Sequence, residues 1–173
     1  MNYILIGNIV AFIASILMVY SGIIRDKKKI VFIQTIQIGL FVLSNLILGG
    51  ITGAITNIIC CIRNILCYKN KLNFKEKTIL TITLIVISLK FNNLGLLGFL
   101  PVISNIIYMW NMDTKNIINF KLLNIFSTTT WLVYDLSISS YTSSLFNVAN
   151  IIANTISIYD LKKNKKRGRK NEI

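Results

Sequence analysis

Residues 52–67, TGAITNIICCIRNILC, recur at 142–157 as TSSLFNVANIIANTIS when the chain is slid ninety positions along itself, without a gap. Thr52 falls on Thr142, Asn57 on Asn147 and Asn64 on Asn154. Just upstream, Phe41–Leu46 falls on Trp131–Leu136. Asparagine is costly in an apolar helix unless its amide finds a partner, so matched asparagines mark the same helix built twice. The chain must therefore fold as two like halves.

Composition sets the solvent those halves meet. Of 173 residues, 54% are hydrophobic and only 14% charged, and the apolar residues run in stretches near the roughly twenty needed to cross a bilayer. The expected class is all-α, a polytopic membrane protein. A single proline and nine glycines exclude a loop-rich or disordered chain. Met1–Ile4 lacks the basic start of a signal peptide and no small-residue cleavage site follows, so the first apolar run reads as a retained span. Seven spans are expected: Tyr3–Ile24, Ile30–Leu48, Ile51–Tyr68, Thr78–Phe91, Leu94–Trp110, Ile117–Ile138 and Tyr141–Leu161. The fourth is short, at roughly 20 Å, and would rely on Lys77 and Lys90 as snorkelling ends.

The net charge of +13 sits in blocks between these runs: Arg25–Lys29, Lys69–Lys77 and Lys162–Lys170. With the N-terminus outside, all three blocks and Lys115 fall on the cytoplasmic side, and the outer turns Gly49-Gly50 and Ser137–Ser140 carry no Lys or Arg. Without the fourth span the basic tail would be exported. Spans one to three and five to seven then run in the same direction. The expected layout is 3+1+3: a first three-helix bundle at 1–77, a linker helix at 78–93, a second bundle at 94–161 and a basic tail at 162–173. Parallel repeats of this kind commonly enclose a transport site between the halves near the midplane.

Asn57 and Asn64 lie two helical turns apart on one face with Cys60 between them, and Asn147, Asn150 and Asn154 repeat that spacing. The two rows bracket the bilayer centre, roughly 8–18 Å below the outer end. Uncharged amides suit the hydroxyls of a neutral polar ligand, and they equally suit hydrogen bonds between helices. Arg63 breaks the symmetry, because its counterpart is Ala153. It either faces the interior, favouring an acidic solute or pairing with Asp135, or snorkels to headgroups near Lys69. Asp135 follows Trp131 and Tyr134 near the outer end of span six. These residues are either a wetted interfacial anchor or an outer gate in which Asp135 bonds across the pseudo-axis near Asn45. Pro101, expected in the middle of span five, is a candidate hinge. Cys60, Cys61 and Cys67 read as small buried thiols; with no histidine in the chain, neither a metal site nor a cofactor is expected.

The stretches Thr56–Leu66 (TNIICCIRNIL), Leu100–Trp110 (LPVISNIIYMW), Trp131–Tyr134 and the Asn-rich seventh span together resemble the bacterial inner-membrane protein YgjV family. The layout is also similar to that of the SWEET sugar transporters and the wider PQ-loop group. That resemblance implies alternating access, with Asn57 or Asn64 and Asn147 or Asn154 touching the solute. The chain departs from the SWEET pattern in having one proline and in Arg63.

The expected function is a carrier or facilitator for a small polar solute, such as a sugar, in the bacterial cytoplasmic membrane. The ligand would lie against Asn57, Asn64, Asn147, Asn150, Asn154 and Arg63. Membrane lipids and the solute are the expected partners, homo-oligomerisation is open, and nucleic acid is not expected. No paired carboxylates or metal-ligand cluster suggest an enzyme. The alternative is a structural or interaction protein whose asparagines only hold helices together.

Overall fold

The ends of the helices repeat with the sequence. Asp26 and Asn116, ninety residues apart, each open a helix with a side-chain oxygen that accepts a backbone N–H, from Lys29 (2.8 Å) and from Ile118 (3.0 Å). The two helices also close alike. Gly49 and Ser139 both adopt positive φ, at 77° and 59°. Past them, the Gly50 N–H reaches the Asn45 carbonyl (2.8 Å) and the Ser140 N–H reaches that of Asp135 (2.9 Å). This is the Schellman closure, and it lets the chain reverse in three residues.

The computed structural model describes residues 2–170, with side chains to residue 164. Among the described residues there are seven α-helices: α1 (Tyr3–Ile23), α2 (Lys27–Ile47), α3 (Ile51–Tyr68), α4 (Phe74–Phe91), α5 (Leu100–Asn111), α6 (Ile117–Ser137) and α7 (Tyr141–Lys170), with a 3-10 turn at Leu97–Phe99 before α5. The ninety-residue shift lays the ends of α2 on those of α6, and the start of α3 on that of α7. α7 continues through most of the stretch expected to be a separate tail, whose last residues lie outside the described ones. α4 is longer than expected, with 18 residues and about 27 Å, because Asn73 caps it a turn earlier.

Neighbouring helices close a ring: α1 packs on α2, α2 on α3, α3 on α5, α5 on α6, α6 on α7, and α7 back on α1. Exchanging the halves maps each of these contacts onto another. Within a half, the outer two helices flank the middle one instead of packing closely together, so each half is a row and the ring is closed only by both. α4 stands outside, against α3 and α5. Small residues permit the tight approaches. A Cβ on Gly22 would lie 2.6 Å from the Asn150 amide oxygen, and one on Gly53 would lie 2.6 Å from the Tyr134 ring.

Polarity is inverted relative to a protein folded in water. Buried positions hold Gln34, Gln37, Asn45, Asn57, Asn64 and Asn105, whereas Leu5, Ile9, Ile16, Ile82, Val86 and Leu145 are exposed. Such an outer surface is stable against hydrocarbon and unfavourable against water. α1, α2 and α3 are each long and apolar enough to cross a membrane.

Candidate functional site

One face of α2 presents Gln34, Gln37, Phe41 and Asn45 to the ring's interior, at intervals of three or four residues. α6 presents Asn124, Ser127, Trp131 and Asp135 at the same intervals, each ninety residues on from its counterpart. Between them lies a cavity of about 90 Å³, room for a handful of waters or a solute of a few heavy atoms. All of its lining residues except Arg63 and Asn105 fall into pairs ninety residues apart, including Met18 with Tyr108, Asn57 with Asn147 and Cys60 with Asn150. One such pair meets directly: Gln34 Nε2 donates to Asn124 Oδ1 (3.0 Å), and the Tyr108 hydroxyl donates to the same oxygen (2.7 Å). Two equivalent residues in contact mark where the pseudo-axis runs.

Apolar side chains seal the cavity toward the basic end of the ring. Ile30, Val31, Tyr108, Met112 and Phe120 form one buried cluster there, and Ile30 and Phe120 are themselves ninety apart. Two lysines tie the halves over this plug. Lys27 Nζ donates to the Met112 carbonyl at the end of α5 (2.5 Å), and Lys121 Nζ to the Gly22 carbonyl at the end of α1 (2.7 Å). The acceptors again match, and cations at helix C-termini satisfy orphan carbonyls. Lys27 is thus a cross-tie, not only the topological charge expected from the sequence.

The two lining residues without counterparts are bonded to each other. Arg63 is 4% exposed, so it turns inward instead of snorkelling. Its guanidinium lies 4.6 Å over the Tyr108 ring. Nε and Nη2 donate to Asn64 Oδ1 (3.0 and 2.8 Å), and Nη1 donates to Asn105 Oδ1. It does not pair with Asp135. That carboxylate is buried and accepts from Asn147 Nδ2 (2.8 Å) within its own half, which corrects both the wetted anchor and a bond across the axis to Asn45. Links between halves at this end come from Tyr134, whose hydroxyl accepts from the Gly53 N–H (2.8 Å), and from Asn8, which donates to the Ser139 carbonyl (3.3 Å) and accepts from the Thr142 N–H (2.9 Å).

Of the expected ligand contacts, Asn57, Arg63, Asn147 and Asn150 line the cavity, as do Asn45, Trp131 and Asp135 from the expected gate. Asn64 and Asn154 stand behind the wall: Asn64 holds Arg63, and Asn154 Nδ2 donates to the Asn150 amide oxygen (3.0 Å). Pro101 is not in mid-helix. It occupies the first turn of α5, where a missing N–H leaves no carbonyl unpaired and bends nothing. The hinge expected there is withdrawn. Gln34, Gln37, Asn105 and Asn124 were not expected, although the same ninety-residue shift that pairs the asparagines of α3 and α7 lays Gln34 on Asn124.

A sequence profile described as Imp-YgjV, bacterial inner membrane protein, matches residues 5–165. The chain belongs to that family. No curated protein and no solved structure matches it. The likeness to SWEET and PQ-loop transporters expected from the sequence rests on layout alone.

Proposed function

We propose that this YgjV-family member is a carrier for a small polar solute, which binds in the cavity on the pseudo-axis. All seven helices would span the bacterial cytoplasmic membrane as 3+1+3, with the N-terminus outside and the basic ends in the cytoplasm. The observation that carries this reading is the pairing of the cavity wall, because a site shared by two parallel halves is what rocking them against each other exposes alternately. The apolar plug over the basic end supports a state facing away from the cytoplasm. Unpartnered amide atoms on Gln37, Asn45 and Asn105 support an interior shaped for a polar guest, since each is buried without a hydrogen bond. Amides, hydroxyls, one guanidinium and one buried carboxylate make a binding wall, and no enzymatic role is proposed.

A second reading has its own support. Asn147, Asn150 and Asn154 all bond to neighbouring side chains, as packing asparagines in a structural membrane protein would. Reconstitution separates the two. Vesicles containing the purified chain should accumulate small polar solutes, and the Asn57→Ala/Asn147→Ala pair should abolish uptake while the protein remains folded. Unchanged uptake in the pair, or none in the native chain for any small polar solute, defeats the carrier reading.

A further inference from the structure

The asymmetric end of the cavity carries an inference about which solute it takes, and it rests on the carrier reading of the same site. Arg63 is a buried guanidinium that forms no ion pair; Asp135, the carboxylate on the same wall, is bonded to Asn147 instead. The two ion pairs among the described residues are Arg25–Asp160 and Lys77–Asp113, and neither involves Arg63. Amide oxygens from Asn64 and Asn105 occupy three of its N–H groups, leaving two of the five. They orient the cation without neutralising it. A single buried charge in a low-dielectric interior is strongly unfavourable unless an opposite charge joins it. Asn105 adds a second observation: with Oδ1 committed to Arg63, its Nδ2 has no partner, although Asn105 is 1% exposed and lines the cavity. Two guanidinium N–H groups and the Asn105 amide nitrogen are thus left without a hydrogen-bond partner.

We propose that Arg63 and Asn105 bind the carboxylate of a small organic monoanion. One guanidinium outside any ion pair matches one negative charge, whereas a phosphate dianion would bring a second charge with no cation to meet it. The cavity, about 90 Å³, limits the rest of the molecule to a few heavy atoms. The guanidinium over Tyr108, held by Asn64, presents its remaining donors in a fixed plane, the arrangement that suits two carboxylate oxygens. The amides and hydroxyls on the rest of the wall serve the solute's uncharged part.

The test is binding to the full chain in lipid nanodiscs, read from tryptophan fluorescence because Trp131 lines the cavity. Acetate and lactate are titrated against acetamide and lactamide at constant ionic strength. Each acid should bind at least tenfold more tightly than its neutral amide. Arg63→Gln should abolish that preference, and Arg63→Lys should retain part of it because the charge survives without the fork. Asn105→Ala should weaken acid binding several-fold and decides the matter if Arg63→Gln does not fold. Equal binding of acid and amide, retention of the preference in Arg63→Gln, displacement of lactate by phosphate or chloride at equal concentration, or no binding of either acid would overturn the proposal. Arg63-dependent binding of lactate that never crosses vesicles would instead defeat the carrier reading and leave this site standing. Uptake of neutral polyols with carboxylates ignored would do the reverse.

Discussion

The two halves of the ring use the same backbone for different ends. α2 and α6 share their caps, their left-handed closing residues and the face they turn to the cavity. α1 and α5 differ more, since α1 has 21 residues and α5 only 12. Where α1 continues as helix, the second half has a loop in which Asn92 Nδ2 donates to the Gly95 carbonyl (2.7 Å) and Gly98 passes so close to Asn92 that a Cβ would collide with its amide oxygen. Two wall residues have no lining counterpart, Arg63 (opposite Ala153) and Asn105 (opposite Ser15). Those two residues are in contact. The paired positions build the cavity, and the two unpaired residues put a guanidinium and its amide holder on the wall.

The comparison breaks most visibly at Gly53. Its counterpart Ser143 already carries a side chain, whereas a Cβ on Gly53 would lie 2.7 Å from both the Asn45 amide nitrogen and the Tyr134 hydroxyl. Gly53→Leu should abolish folded protein in a size-exclusion assay. Ser143→Ala, which gives up a hydrogen bond from Ser140 (2.7 Å), should lower stability by only about 1 kcal/mol. Comparable loss from both would mean that the halves are not docked through Tyr134.

The matched asparagines should separate next. Asn64→Ala strips two charge-assisted bonds from a buried guanidinium and should cost about 3 kcal/mol. Asn154→Ala removes a neutral bond to Asn150 and should cost about 1 kcal/mol. Thermal unfolding followed by circular dichroism ranks them. Equal shifts would place Arg63 elsewhere.

Tyr134 and Ser44 are likewise equivalent by sequence and unequal by contact. Tyr134 receives the Gly53 N–H from the other half, while Ser44 Oγ donates to the Gly7 carbonyl (2.9 Å) within its own. Each hydroxyl deletion, Tyr134→Phe and Ser44→Ala, should cost about 1–2 kcal/mol. Only Tyr134→Phe loosens the joint between halves, so amide exchange should rise at the α3–α6 contact in that variant and not in the other.

The smallest effect is expected at Pro101. As a first-turn residue, its replacement by alanine should change stability by about 0.5 kcal/mol and leave uptake intact. A tenfold loss of uptake would restore it as a hinge.

Much of this was legible in the chain. Apolar runs and the ninety-residue shift were enough for the helices, their pairing and the inward asparagines at 57, 147 and 150. Two things were hidden for physical reasons. The first turn of α5 is set by side chains of the preceding loop, a local contact without periodicity, so Pro101 looked central. The depth of Asp135 depends on Asn147 from the next helix, and the direction of Arg63 on Asn105 from the other half as well as on its neighbour Asn64. Asn147 and Asn105 are distant in sequence, and each helps fix a side chain that hydropathy alone would send to the membrane surface.

Thiol accessibility shows directly whether both halves wall one water-reachable cavity. Cys60 lines that cavity, its counterpart is Asn150, and the neighbouring Cys61 instead directs its thiol to the Thr35 carbonyl (3.7 Å). Three single-cysteine proteins are needed, bearing Cys60, Asn150→Cys or Cys61, with the other native cysteines changed to serine. A small water-soluble methanethiosulfonate should modify the first two at similar rates, slowed by bound solute, and should spare Cys61. Modification of Cys61 alone, or of neither cavity position, would contradict the account.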